Sequence, residues 1–341
     1  MVLQVRTCFN ELTPLIERYR KTMRMVSEKV KVLYIGGVGR SGSTLIDLIV
    51  SQADGFFSVG ELRYVWTRNF QENQLCASGE PFRESPFWQK VVEEAYGGFD
   101  QIDAAYVECL REKVERLRYQ PRIWLDQKGI KTLTEDYQAT LREYQGYLGK
   151  LYQAIQKVSN CDYILDSSKN SPHAYMLHTM DDVDLYVLHL IRDSRAFAYS
   201  WQRKKVRPEI HWKTEYMAQF PISLSIRRWN SENVLVAMLD SIGAPYKRLR
   251  YEDFAHDPQS GLDVIWDLLG LTQYKLQDLL DRYQHDDKPN YSVSGNPIRF
   301  GERKEIKIRL DEEWQENMPF RQKLFMTLGT LPLLLWYRYI P

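Results

Sequence analysis

The sequence predicts an α/β fold in which helices flank a central parallel β-sheet. Short β-rich runs recur along the chain, and each ends in a glycine, serine or charged turn. Each turn then opens helix-favouring sequence. This alternation marks βαβ units, which place strands in parallel and cover the sheet on both faces. Ligands of such sheets bind beyond the C-terminal ends of the strands, where the notable polar clusters of this chain fall.

Residues 1–29 are expected to form an N-terminal helical extension, and residues 30–341 a single α/β domain. The first strand covers residues 30–35 and leads through a glycine-rich turn to a helix starting near Ser43. The second covers 163–165, followed by Asp166-Ser167-Ser168 and a helix past Pro172. The third covers 185–191, ends at Arg192 and feeds a helix from about Ser194. The fourth covers 246–250, followed by Tyr251-Glu252-Asp253 and a helix after Pro258. A helical insertion or cap over residues 70–160 is expected between the first two strands. Within it Tyr137, Leu141, Tyr144, Leu148, Leu151, Ile155 and Val158 recur at steps of four and three, the packing face of a long amphipathic helix. Residues 70–122 are the expected seat of ligand specificity. The aromatics Tyr64, Trp66, Phe70, Phe82, Phe87 and Trp88 either line a site for an apolar or ring-bearing ligand or fill the core.

Composition excludes several classes. Hydrophobic residues at 44% and charged residues at 27% describe a globular chain. A net charge of +1 provides no global field for nucleic acid, so any anion site must come from local clustering. The basic clusters lack interleaved stacking aromatics, and no nucleic-acid partner is expected. The four cysteines lie far apart with no metal-ligand spacing, which predicts free thiols in a reducing, cytoplasmic compartment and no bound metal. The apolar stretch 324–337 is broken by Gly329 and Pro332 and is shorter than the ~20 residues of a membrane span. It is expected to be a buried or interfacial segment.

The strongest local signal is Gly36-Gly37-Val38-Gly39-Arg40-Ser41-Gly42-Ser43-Thr44, after a strand and opening a helix. Glycines let backbone N–H groups converge on one anion, and the helix N-terminus and hydroxyls add to the cradle. The sheet is therefore expected to be of P-loop type. From Gly37 the segment nearly spells GxxxxGK[ST], but Ser43 stands where lysine would contact the outer phosphates of a nucleoside triphosphate. Arg40 offers planar donors to a shorter anionic group.

At this point the sequence resembles the sulfotransferases that use 3′-phosphoadenosine 5′-phosphosulfate (PAPS) and release 3′,5′-adenosine bisphosphate (PAP), from about Val30 to the C-terminus. Gly39, Arg40, Ser41, Gly42, Ser43 and Thr44 resemble the 5′-phosphosulfate loop, in the arginine-bearing form of tyrosylprotein and bacterial members. Leu190-Ile191-Arg192-Asp193 with Ser200 resembles the 3′-phosphate motif, so that Arg192 and Ser200 would hold that phosphate. Tyr251 belongs to a third element, and Ser294, Asn296 and Arg299 to a C-terminal nucleotide loop like that of bacterial members. Arginines suit the several charges of PAPS. Lys204, Lys205, Lys307 and Arg309 are read as solvated side chains instead.

Sulfuryl transfer needs alignment, a base for the acceptor hydroxyl, and cations at the departing phosphate. The resemblance implies Glu61, in Val59-Gly60-Glu61-Leu62-Arg63, as general base, with a raised pKa expected for the task. The competing reading is a helix-start acid. Lys169 is either a cation for the bridging oxygen or a surface lysine, and His173 is a weaker alternative base. The acceptor is expected to be a small-molecule, carbohydrate or peptide hydroxyl. A P-loop kinase using ATP and magnesium is the alternative, resting on Asp166 after a strand.

Overall fold

Alternating apolar residues build a sheet of five parallel strands in the computed structural model, which describes residues 29–285, 289–300 and 306–340. All but Lys29 of the expected N-terminal extension lies outside them. β1 (Val30–Gly37) leads into α1 (Ser43–Val50) and β2 (Phe56–Gly60). A π-helical stretch (Val65–Gln71) is followed by α2 (Pro86–Tyr96), α3 (Ala104–Val114), α4 (Gln120–Gln127) and α5 (Glu135–Ser159). Next come β3 (Tyr163–Asp166), α6 (Ser171–His178), β4 (Val183–Ile191), α7 (Ser194–Gln202), α8 (Ile222–Ala237) and β5 (Tyr246–Arg250). The remainder forms α9 (Tyr251–His256), α10 (Pro258–Leu269), α11 (Leu276–His285), α12 (Glu313–Asn317) and α13 (Phe320–Trp336).

The strand order is β2-β3-β1-β4-β5. The α/β class is as expected, with one strand more than the sequence predicts: β2, so the helical stretch follows the second strand of the chain. The chain leaves β1 toward one edge and β4 toward the other, so their C-terminal ends flank a crevice at a topological switch point. Period-two alternation divides the core. Val30, Val32, Tyr34, Ile164, Val183, Leu185 and Val187 face one layer; Leu33, Ile35, Leu165, Leu188 and Leu190 face the other.

Helices α2, α3 and α5 form much of the first layer, and the α5 stripe from Tyr137 to Ile155 is buried as expected. Trp66, Phe70, Phe82 and Trp88 are fully buried and Phe87 nearly so, which resolves these five aromatics in favour of core. Among the described residues, no helix is long and apolar enough to cross a membrane. The C-terminal segment is the helix α13, which buries Met326 and Leu334 while Phe320, Phe325, Leu328 and Trp336 remain exposed.

A charged network lies inside the first layer. Glu115 pairs with Arg63 (2.9 Å), Arg111 (3.2 Å) and His173 Nδ1 (2.7 Å). Asp166 accepts from the Tyr152 hydroxyl and the Ser168 N–H, with His173 Nε2 at 3.5 Å. Burial works against a charged His173, but Glu115 and Asp166 outweigh it and raise its pKa to about 9. Burial also opposes ionised Glu115, yet Arg63 and His173 hold its carboxyl at about 2. Removing one partner from such a set strands the others in a poorly solvated place. Glu115→Gln is therefore expected to cost about 3–5 kcal/mol in a urea denaturation experiment. Because the folded-state pKa of His173 lies above the ordinary 6.5, its stabilisation is complete below that value and lost as pH rises through about 9. The denaturation midpoint should fall across that window in the wild type and lose this component in His173→Gln.

Candidate functional site

The β1 turn, the end of β2, the turn after β3 and the 294–298 segment converge on one cleft of about 590 Å³. Gly39, Arg40, Gly42, Ser43 and Thr44 line it, and so do Glu61, Lys169 and Asn296. The turn wraps back because Gly42 adopts φ 86° directly over the Tyr251 ring; a Cβ there would lie 2.3 Å from a ring carbon. Ser41 closes the turn from within, its hydroxyl donating to the Val38 carbonyl (2.8 Å). Tyr251 is thus the floor beneath the loop rather than part of the cleft wall, and its hydroxyl donates to the Arg309 carbonyl.

Arg40 holds φ 70°, an unusual conformation for a residue with a side chain. Lys169 (φ 60°) and Ser294 (φ 57°) share it. Three of the six such residues among those described are site residues expected from the sequence, and backbone strain of this kind gathers at ligand-binding segments. The Arg40 guanidinium lies 5.3 Å from the Trp201 ring, with Nη2 against Met217 Sδ. Its Nε and Nη1 are buried without hydrogen-bond partners. Two unsatisfied cationic donors at the rim of a glycine cradle are what an anion would satisfy.

Arg192 is buried at the end of β4. It donates to the Arg40 carbonyl (2.9 Å), pairs with Asp311 (3.0 Å) and stacks on Tyr251. It does not line the cleft itself; it braces the anion turn from behind, and its Nε is buried without a partner. Ser200 is buried on α7, outside the lining. Arg203 shares Asp311 (2.9 Å), and Lys205 lies among these cations. Burial lowers the pKa of Lys205, and Arg40 and Arg203 lower it further. Arg40 is lowered by burial too, with Arg203 and Arg192 adding to this and Glu61 opposing it. Lys205, expected to be solvated, is instead half-buried in this cluster, whereas Lys204 is exposed over Tyr216. Sequence reasoning misses the meeting of Arg203, Lys205 and Asp311 around Arg192 behind the turn, although the basic run 192–207 contains the signal for two of them.

Glu61 is positioned by backbone contacts. Gly60, at φ 76°, meets residue 293 so closely that a Cβ would lie 2.4 Å from its carbonyl oxygen. The Glu61 N–H donates to that carbonyl (2.9 Å), and the Ser167 N–H donates to the Gly60 carbonyl (2.8 Å). The C-terminal loop is thereby laid along the end of β2. Behind it Arg299 is buried, pairing with Asp47 and donating to Ser167 (2.9 Å) and Ser292 (2.9 Å). Arg299 is a tether and does not line the cleft. Ser294 is buried as well, with an unpartnered hydroxyl, and Asn296 alone of the three reaches the lining.

The Tyr34 hydroxyl donates to the Asn170 carbonyl and accepts the Asn170 N–H, fixing the turn after β3. Lys169 then meets Glu61 at 2.7 Å, both side chains largely buried. Burial raises the Glu61 pKa, but Lys169, Arg68 and Arg299 outweigh it and hold the carboxyl below the ordinary range. The expected upward shift is therefore corrected: the carboxylate is paired and ionised. His173 and Asp166 are both fully buried in the internal network, outside the cleft lining. None of residues 70–160 lines the cleft, so the expected seat of specificity supplies core, and the opposite wall comes from Trp201, Met217 and Phe220. Of the aromatics expected either to line a site or to fill the core, Tyr64 lines the cleft, and Arg68 beside it is a residue that sequence reasoning misses. Replacing Lys169 by Met leaves burial unopposed by its nearest cation, so the Glu61 carboxyl should titrate at higher pH than in the wild type, as read by carbon NMR of labelled glutamate.

No family model matches the chain, and no curated relative does. Among solved structures it is similar to the sulfotransferase domain from the Synechococcus PCC 7002 olefin synthase. The identity is 18% over 90% of this chain and 95% of that one, with a TM-score of 0.50. It is also similar to the sulfotransferase domain from the curacin biosynthetic pathway (17% identity, 90% and 98% covered, TM-score 0.47). The sulfotransferase STF9 from Mycobacterium avium is a further neighbour (11% identity, 94% and 80% covered, TM-score 0.45). At 18% identity the first of these likenesses speaks for the fold: the chain shares the helix-flanked parallel sheet of a sulfotransferase domain.

Proposed function

We propose that the chain is a sulfotransferase that moves a sulfuryl group from PAPS to a hydroxyl acceptor. One observation carries the reading: Glu61, Lys169 and the partly unsatisfied Arg40 line the same cleft as the glycine turn. The sequence resemblance and the shared fold support it. The donor set fits a bisphosphorylated nucleotide, because the orphaned Arg40 nitrogens and the Arg192 Nε are guanidinium donors awaiting anions. Residues 39–44 would hold the 5′-phosphosulfate end; the resemblance gives the 3′-phosphate to Arg192 and Ser200, which lie behind the turn and outside the cleft lining, with Lys205 nearby.

Bound PAPS supplies the sulfuryl group. The acceptor oxygen forms the new S–O bond as the bond from sulfur to the phosphate oxygen breaks, and Glu61 takes the hydroxyl proton. Lys169 and Arg40 offset the charge gathered on the departing phosphate. A paired, ionised Glu61 can accept a proton directly, and release of Lys169 toward the leaving oxygen would raise its basicity. The kinase reading is not favoured: Asp166 is spent in the internal network, and Ser43 stands at the lysine position.

The protein should be retained on a PAP resin in the presence of EDTA and excess ATP, and should transfer radiolabelled sulfate from PAPS in an acceptor screen. Displacement by ATP alone would overturn the donor assignment. Glu61→Gln is expected to lower turnover by about 10²–10⁴-fold with donor affinity nearly intact. Arg192→Ala should show the reverse emphasis in PAP calorimetry, with donor affinity falling at least about tenfold as the anion turn loses its brace.

A further inference from the structure

The stretch that follows Glu61 departs from ordinary helix geometry. Residues 62–64 form a 3₁₀ turn, and Val65–Gln71 is π-helical, a form concentrated at functional sites. It brings Tyr64 and Arg68 to the cleft beside Glu61. The Arg68 guanidinium carbon lies 3.9 Å from the centre of the Tyr64 ring, so the ring holds the planar cation while leaving its N–H edge free. Two other cleft cations are matched by carboxylates, Lys169 by Glu61 at 2.7 Å and Arg207 by Glu209 at 2.8 Å and Glu215 at 3.0 Å; Arg40 sits at the glycine turn, and Arg228 stacks on Phe220 at 4.4 Å. The Arg68 guanidinium has no hydrogen-bonded or ion-pair partner among the described residues, although its charge acts on Glu61. The cations assigned to the donor under the proposed function sit elsewhere, at the β1 turn and behind it.

We propose that Arg68 is a specificity-determining residue that receives a carboxylate carried by the acceptor, so that the substrate is a hydroxy acid or a carboxylated phenol. This rests on the sulfotransferase reading and assigns the chemistry of its acceptor. A carboxylate matches the fork of a ring-stacked guanidinium. An ammonium group would be repelled by it, and a neutral acceptor would cover the cation without pairing it. Tyr64 presents the stacked face, and Glu61 stands seven residues before Arg68 to take the hydroxyl proton.

Three phenols of similar size test this by calorimetry on protein saturated with PAP: 4-hydroxyphenylacetate, 4-ethylphenol and tyramine. The acid is expected to bind at least about tenfold more tightly than the neutral phenol, the scale of one charge-assisted hydrogen-bonded pair, with tyramine weakest. Arg68→Gln should erase the order while leaving PAP affinity within about twofold, and Arg68→Lys should restore part of it. PAP binding with equal or undetectable affinity for all three phenols overturns the inference and leaves the donor assignment standing. A preference that persists in a folded, PAP-binding Arg68→Gln protein overturns it as well. Failure of the wild type to bind PAP at all overturns the donor reading, and the acceptor assignment with it.

Discussion

The crowding of like charges beyond β1 and β4 is the constraint around which the cleft is built. Arg40, Arg192, Arg203 and Lys205 act on one another electrostatically, and burial adds to the cost of the charges on Arg40 and Lys205. Such a group stays together only if packing over-determines it. Trp201 and Tyr251 supply flat surfaces for Arg40 and Arg192, and the Arg192 hydrogen bond to the Arg40 carbonyl locks the turn. Asp311, from the segment before α12, gives two of the cations a shared counterion. An anionic ligand would relieve the rest of the repulsion.

The parts of this arrangement differ in how visible they are along the chain. β1, β3, β4 and β5 announce themselves because each apolar run ends in a turn that opens a helix. β2 does not: Phe56-Phe57-Ser58-Val59-Gly60 is short, and its pairing partner β3 lies about a hundred residues downstream. The glycine turn and Glu61 are legible as residue types in order, and the structure brings them to one cleft with Lys169 and Asn296. Side-chain direction is not legible. Arg299 reads as a nucleotide contact in one dimension, but in three it turns inward to Asp47. Lys205 reads as solvated within the basic run 192–207, yet it is half-buried and feels the charges of Arg40 and Arg203. The meeting of Tyr64 with Arg68 escapes notice because a 3₁₀ turn and a π-helical stretch set their directions, and no simple periodicity encodes them.

Under the proposed mechanism, the pairing of Glu61 with Lys169 would explain why a base can tolerate a lowered pKa. An isolated carboxylate buried here would be pushed toward its protonated form and would have no capacity to take a proton. The ammonium at 2.7 Å keeps it ionised, at the cost of basicity. Basicity is needed only while the acceptor oxygen is reacting, when negative charge is also growing on the leaving phosphate. A lysine shared between the two positions would couple them: the more it is drawn to the leaving oxygen, the less it restrains the carboxylate. The left-handed backbone at Lys169 and the clamp of Tyr34 on Asn170 fix the stem of that side chain. In the proposed transfer, an ammonium now held by Glu61 and the Ser167 carbonyl would serve both ends.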